Sequence, residues 1–313
     1  MIERSNQKVS VGLPTYNRAD HVARAIDSVL AQTYVDFELI ISDNASTDAT
    51  QETCNNRAAT DDRIRYYRQP QNKGAHANFL EVLKHATGEY FMWLADDDMI
   101  DADYILRCVQ ALSSDHELAL VCGQDRYFEN GNYVFEGPII SLSSDSPADR
   151  VVAFYERVVF NGTFYGVMRR ATIAGIPFLD VLGGDWLVVG TLALRGKIMT
   201  LQQVKISRSM RGASQDMKRL SMAYGLGERQ ARNPHYAISK IVYNYTQQST
   251  PFASFSRLSR HLLGVRCFLA LNRRFTWPFY RRQLAASLRW EEIAALWNAY
   301  IGWRFKNQRR RNS

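Results

Sequence analysis

Three aspartates in a row, Asp96-Asp97-Asp98, close the apolar run Tyr90-Phe91-Met92-Trp93-Leu94-Ala95. Adjacent carboxylates repel one another and resist leaving water, so such a cluster at the end of a buried strand needs a physical reason. One reading is a solvated turn in which Asp101 caps a helix from residue 103. The other is a divalent-cation site, with Asp96 and Asp98 pointing into one cleft and Asp97 facing away. Hard cations such as Mg²⁺ and Mn²⁺ often bind through one or two carboxylates plus substrate phosphates, and they turn a diphosphate into a better leaving group. Asp43, inside Ser42-Asp43-Asn44-Ala45-Ser46-Thr47-Asp48, ends a second apolar run. It reads as a cap, a role that Ser46 or Thr47 can also fill, or as a hydrogen-bond partner for a nucleobase or ribose. A further carboxylate, Asp185, follows Gly183-Gly184 and opens an apolar stretch, which is the pattern of a helix N-cap.

The elements that carry these groups alternate. Residues 9–13 read as a short buried strand stopped by Pro14, and residues 19–31 as a helix with Val22, Ile26, Val29 and Leu30 on one face. A strand follows at 37–42, a helix from about Thr47, a strand at 64–67, a helix at 79–85, and strands at 90–95 and 118–122. This order implies right-handed crossovers and a mainly parallel sheet, whose ligands gather at the carboxyl ends of strands. Thr15-Tyr16-Asn17, Asp43-Asn44 and Asp96-Asp97-Asp98 all sit at such ends. Beyond Gln124 the pattern loosens. A helix starts near Ser146-Pro147, a strand is expected at 162–168, a helix at 185–195, and helices from about residue 216 onward. Residues 254–271 align Leu258, Leu262, Val265 and Leu269 on one face, and residues 284–301 align Trp290, Ile293, Trp297 and Ile301.

Two stretches, VSVGLPTYNRADHVARAIDSVLAQTYVDFELIISDNASTD and NKGAHANFLEVLKHATGEYFMWLADDD, together resemble the family 2 inverting glycosyltransferases of GT-A fold. The resemblance implies an α/β fold: a Rossmann-like nucleotide-binding sheet with helices on both faces, plus a C-terminal helical region. Residues 1–215 would form the catalytic domain, with 1–125 the nucleotide-sugar half and 126–215 the acceptor half, and 216–313 a basic helical region. It further implies a nucleotide-sugar donor (UDP-linked by default), Mn²⁺ or Mg²⁺, and a glycan or lipid-linked acceptor of bacterial surface polysaccharide synthesis. By position, Pro14, Thr15, Tyr16 and Asn17 line the nucleotide pocket and Asp43 contacts the base. Lys73 and Gly74 lie in a loop near the nucleotide, Asp96 meets the ribose or metal, and Asp98 holds the metal. Asn78 and Arg18 are further candidates. Asp185 matches the second acidic motif of the family, which makes it the candidate general base for the acceptor hydroxyl, in competition with the cap. Trp186 beside it would stack on an acceptor sugar or fill the core. In one place the chain departs from the family. Ser207-Arg208-Ser209-Met210-Arg211-Gly212 carries Arg211 where the family often has a histidine before glycine. Arginine pairs with phosphate rather than with a cation, so Arg211 becomes a candidate grip on the diphosphate.

The resemblance also allows a catalytically silent nucleotide- or glycan-binding protein. A dinucleotide-dependent dehydrogenase is disfavoured, because Leu13-Pro14-Thr15-Tyr16-Asn17 stands where its glycine-rich turn belongs. The net charge of +8 arises from residues 251–313, where thirteen Lys and Arg face only Glu291 and Glu292. That tail reads as a helical appendage with solvated arginines or as a peripheral membrane surface rich in Trp and Tyr; no nucleic-acid motif accompanies it. Four scattered cysteines give neither a zinc pattern nor a disulfide framework, so reduced thiols are expected. The first residues lack the apolar core of a signal peptide, and no apolar run approaches the ~20 residues of a spanning helix. The expectation is a cytoplasmic protein, peripheral on the inner face of the membrane. No feature of the sequence indicates an oligomeric state.

Overall fold

The computed structural model describes residues 7–210, 217–278, 280 and 281. In chain order the first half comprises β1 (Val9–Thr15), α1 (Ala19–Leu30), β2 (Phe37–Asp43), α2 (Thr50–Ala58), β3 (Ile64–Arg68), α3 (Ala75–Lys84), β4 (Tyr90–Trp93), β5 (Met99–Ile100) and α4 (Tyr104–Ser114). Then come β6 (Leu118–Glu129), β7 (Asn132–Glu136), α5 (Pro147–Arg157), a 3-10 turn (Gly162–Tyr165), β8 (Val167–Arg169), α6 (Arg170–Ile173), α7 (Gly184–Arg195) and β9 (Lys197–Ser209). Helices α8 (Met217–Ala223), α9 (Glu228–Ala231), α10 (Pro234–Gln248) and α11 (Arg257–Leu271) follow, and α11 runs into a π-helical turn at Asn272–Thr276.

The strands form one sheet in the order β3-β2-β1-β4-β8-β6-β9-β5, with β7 on the outer part of β6. The first four strands are parallel, as the alternation predicts. The second half is mixed: β8 runs antiparallel between β4 and β6, and β9 is parallel to β6. The short β8 replaces the longer strand expected at 162–168, whose first residues turn as a 3-10 helix. β9 was not expected from the sequence. Residues 284–301 lie outside the described residues.

Side chains alternate across the pleat, so neighbouring apolar residues feed opposite cores. Leu39 and Ile41 belong to the core that holds α1, α2 and α4 on one face, and Ile40 to the core that holds Val82, Trp93 and Leu187 on the other. This supports the two-faced α/β architecture expected. Gly12 lets α3 lie against β1: a Cβ there would sit 2.7 Å from Val82 Cγ2. Helices α10 and α11 share the core of α5 and α7 through Ile238, Val242, Leu263 and Cys267. The four cysteines are free and buried.

Candidate active site

The register levels the carboxyl ends of three strands, pairing Thr15 with Asp43 and Asp43 with Arg68. Asn78, buried on α3, ties these ends together. Its Nδ2 donates to Thr15 O (3.2 Å) and Ser42 O (2.9 Å), and its Oδ1 accepts from Ser42 Oγ (2.6 Å). Asp43 is fully buried. Its Oδ1 accepts from Ser46 N (2.8 Å) and its Oδ2 from Tyr66 Oη (2.8 Å), with Arg68 Nε 3.6 Å away. The carboxylate therefore shapes the turn after β2. The loop carrying Lys73 and Gly74 is brought to the same place: Asn44 accepts from Lys73 N (2.9 Å) and donates to Gly74 O (3.2 Å). Asn17, in the left-handed region at φ 52°, locks onto the same turn through Ser46 Oγ and Thr47 N. Tyr16 is exposed beside it.

Thr15 Oγ1 donates to Asp96 Oδ2 at 2.8 Å. Burial pushes the Asp96 carboxyl up to about 6, although Thr15 and Arg18 favour its ionised form. Asp98 is buried, and its Oδ2 accepts from Arg208 Nε at 3.1 Å. Asp97 lines the same cleft as its two neighbours. Asp101 does not cap α4, which begins at Tyr104; its Oδ2 accepts from Lys205 N of β9 (2.8 Å).

Arg208, near the end of β9, pairs in register with Tyr127 of β6. Its Nη1 stands 3.7 Å from Asp125 Oδ1 and 3.3 Å from Tyr127 Oη, and its guanidinium lies 4.7 Å from the centre of the Tyr165 ring. The sequence assigns no role to Arg208 or Asp125. The basic segment after the second acidic motif was the available signal, but it drew attention to Arg211, which lies outside the described residues. One guanidinium thus serves two buried carboxylates. Burial raises Asp98, and pushes Asp125 up to about 6, against the pull of Arg208. The surplus negative charge and the all-oxygen donors of Asp96 and Asp98 fit a hard cation bound jointly with phosphate. Among the described residues no three His, Cys, Asp or Glu side chains converge into a complete ligand set.

Asp185 lies in the first turn of α7 and is not its cap; Gly183, left-handed at φ 77°, holds that position without a side-chain hydrogen bond. Asn161 Nδ2 donates to Asp185 Oδ2 at 2.7 Å. Burial raises the Asp185 carboxyl, and the Asn161 amide works against that rise. Asn161 itself is left-handed at φ 45°, and its Oδ1 is buried without a hydrogen-bond partner among the described residues. Asp185 opens into a cavity of about 420 Å³ walled by Phe79, Phe160, Phe164, Phe178 and Trp186. Trp186 is buried as part of that wall, next to His235, which stacks on Phe275 at 4.1 Å. Burial lowers His235 to about 4, so it is neutral at neutral pH. The acidic cleft, about 290 Å³, adjoins this cavity; Pro14, Arg18, Asp96 and Asp98 line the cleft, while Phe79, Phe160, Tyr165 and Arg208 line both. The arrangement joins an anionic, cation-ready end to an apolar chamber containing one positioned carboxylate.

A family model described as "Glycosyl transferase family 2" matches residues 10–173. The GalNAc(5)-diNAcBac-PP-undecaprenol beta-1,3-glucosyltransferase of Campylobacter jejuni is 29% identical over 179 residues, 57% of each chain. A chondroitin synthase of Pasteurella multocida is 34% identical over 139 residues, 44% of this chain and 14% of that one. The match therefore spans little more than half of the first relative and a small part of the second. Among solved structures, S. aureus TarS 1–349 in complex with UDP-GlcNAc superimposes with TM-score 0.62 at 18% identity, over 91% of this chain and 77% of that one. The mannosyltransferase PcManGT from Pyrobaculum calidifontis, in complex with GDP-Man and Mn²⁺, gives TM-score 0.54 at 16% identity, over 94% and 79%. These two likenesses establish a shared fold, that of the GT-A glycosyltransferases.

Proposed function

The chain belongs to glycosyl transferase family 2, and from that premise we propose that it moves a sugar from a nucleotide-sugar to a hydroxyl of a glycan or lipid-linked acceptor, inverting the anomeric carbon. The observation that carries this reading is the pair of adjoining cavities that share Arg208, with Asp96 and Asp98 in one and Asp185 in the other. In this reading Pro14, Thr15, Tyr16, Asn17, Asp43, Lys73 and Gly74 surround the nucleotide, with uracil the default base. The diphosphate lies between Asp96, Asp98 and the guanidinium of Arg208. Mn²⁺ or Mg²⁺ held by Asp96 and Asp98 would neutralise the departing diphosphate. Asp185 takes the acceptor hydroxyl's proton as the oxygen attacks the anomeric carbon. One carbon–oxygen bond forms, the bond to the diphosphate breaks, and its electron pair leaves on the diphosphate oxygen. The aromatic wall keeps water from competing for the sugar. Work at the inner face of the membrane, in bacterial surface polysaccharide synthesis, is part of the same proposal.

A catalytically silent binding protein is the second reading, favoured by the occupation of Asp98 Oδ2 by Arg208. A panel of UDP- and GDP-sugars with Mn²⁺, scored first by thermal shift and then by product NMR, separates the two. The expected result is one donor that raises the melting temperature and yields a product of inverted anomeric configuration. Binding with neither transfer nor hydrolysis would favour the silent protein, and a retained configuration would remove Asp185 from the role of base.

Asn161→Ala is expected to move the acid limb of the pH–rate profile to higher pH. Asp185 works ionised, so the rate rises as pH climbs through its pKa. Without the amide that favours the ionised form, that pKa rises further, and rate is lost along the acid limb. A purely structural Asn161 would lower stability and leave the limb in place.

A further inference from the structure

Helix α11 is apolar on two opposite faces. Leu263, Cys267, Ala270 and Leu271 are buried in the core shared with α5 and α10. Leu258, Leu262 and Leu269 lie on the other side, 67%, 54% and 46% exposed. With Val265 they keep the four-three-four spacing of a single helical stripe. The face aligned by the sequence periodicity is thus the one that faces solvent.

The stripe borders a groove of about 540 Å³ between α10 and α11, lined by Lys240, Tyr243, Asn244, His261, Val265 and Phe268. Tyr243 Oη and His261 Nδ1 are 2.9 Å apart, and Tyr236 meets Phe268 edge-on. Trp277 and Tyr280, half exposed, extend the surface beyond α11. Every formally charged side chain from 251 to 281 is an arginine. Arg266 pairs with Asp149, and Arg260 and Arg274 bond to backbone carbonyls, while Arg257 and Arg273 are exposed. The same elements reach the catalytic chamber, whose wall includes His235 and Ile238 of α10 and Phe275.

We propose that this face docks on an anionic phospholipid bilayer. The leucines, Tyr236 and Trp277 enter the interfacial layer, and Lys240, Arg257 and Arg273 meet lipid phosphates. Charge selects this occupant. A second copy would set one cationic face against another; residues 284–301, with Arg289 against Glu291 and Glu292, are the competing occupant, which the melting temperature of the leucine variant reads. The inference rests on the lipid-linked reading of the acceptor, but its test requires no transfer.

The full chain is mixed with phosphatidylcholine vesicles, with or without about 30% phosphatidylglycerol, and floated. It is expected to float with the anionic vesicles only, and to be released as salt rises from about 0.1 to about 0.5 M. The double variant Leu258→Glu, Leu262→Glu is expected to bind at least about tenfold more weakly with an unchanged melting temperature, because those side chains already face water. Arg257→Glu with Arg273→Glu is expected to weaken binding likewise. No flotation, or equal flotation of the leucine variant, would overturn the proposal. A lowered melting temperature in the leucine variant would also overturn it, since it would mean that residues 282–313 or a second copy covers the stripe. So would a dimer that the variant dissolves.

Discussion

Asp185→Asn is expected to lower the transfer rate by about 10³-fold while donor affinity and stability persist. The amide is isosteric with the carboxylate and can still accept from Asn161 through its oxygen, so the geometry of the first turn of α7 survives. What is lost is the ability to take a proton. Stability separates this reading from a capping role. A lost N-cap costs about 1 kcal/mol, but Gly183 holds the cap position here and makes no side-chain bond. Burial raises the Asp185 carboxyl above its unfolded value. Any stability linked to that shift is present below the unfolded pKa and lost as pH rises through the folded one. A neutral asparagine avoids that loss, so the melting temperature at neutral pH should match or exceed that of the parent. Loss of donor binding or a clear drop in melting temperature would return Asp185 to a structural part.

Arg208→Met is expected to be the most destabilising change in the site, by about 3–5 kcal/mol at neutral pH. The side chain is 12% exposed, and it faces the Asp98 and Asp125 side chains at 3% and 8%. Removing it leaves two buried carboxylates without a counter-charge. Their folded pKa values then climb further above the unfolded ones. The stabilising contribution of protonation is complete below the unfolded pKa and disappears as pH rises through the folded values. Denaturant titration should therefore show the deficit shrinking between pH 7 and pH 5. Adding Asp98→Asn should recover part of it. A variant as stable as the parent at both pH values would mean that the guanidinium is only loosely engaged.

The parts of this site that were legible in the sequence are those made by short-range chemistry. Apolar strands ending in Thr15, Asp43 and Asp96 show both where the sheet lies and which end is polar, and in parallel strands those ends lie together. Two glycines and an apolar helix framed Asp185 only as a cap; its candidacy as base came from the resemblance to the second acidic motif of the family. Arg208 was not legible, because it arrives by long-range pairing. β9 has broken apolar alternation, and its register against β6 shifts between Gly123 and Gln124, so no local pattern shows that Arg208 stands opposite Tyr127. The mixed half of the sheet was missed for the same reason: three residues of β8 are too few to display a period. In α11 the periodicity located an apolar stripe correctly but could not indicate which of two such faces turns inward. Asp43 read as a cap or as a partner for a base or ribose; Ser46 N and Tyr66 Oη donate to its two oxygens, and the Tyr66 contact depends on the β2–β3 pairing, which no local pattern shows.

The most direct test is a calorimetric titration of UDP into the full chain, with and without Mn²⁺, repeated on Asp98→Ala. If the acids after Ala95 are held together by a shared cation and diphosphate, Mn²⁺ strengthens UDP binding by at least about tenfold, and the substitution abolishes that gain. Equal affinity with and without the cation, or a gain that survives the loss of Asp98, would contradict it.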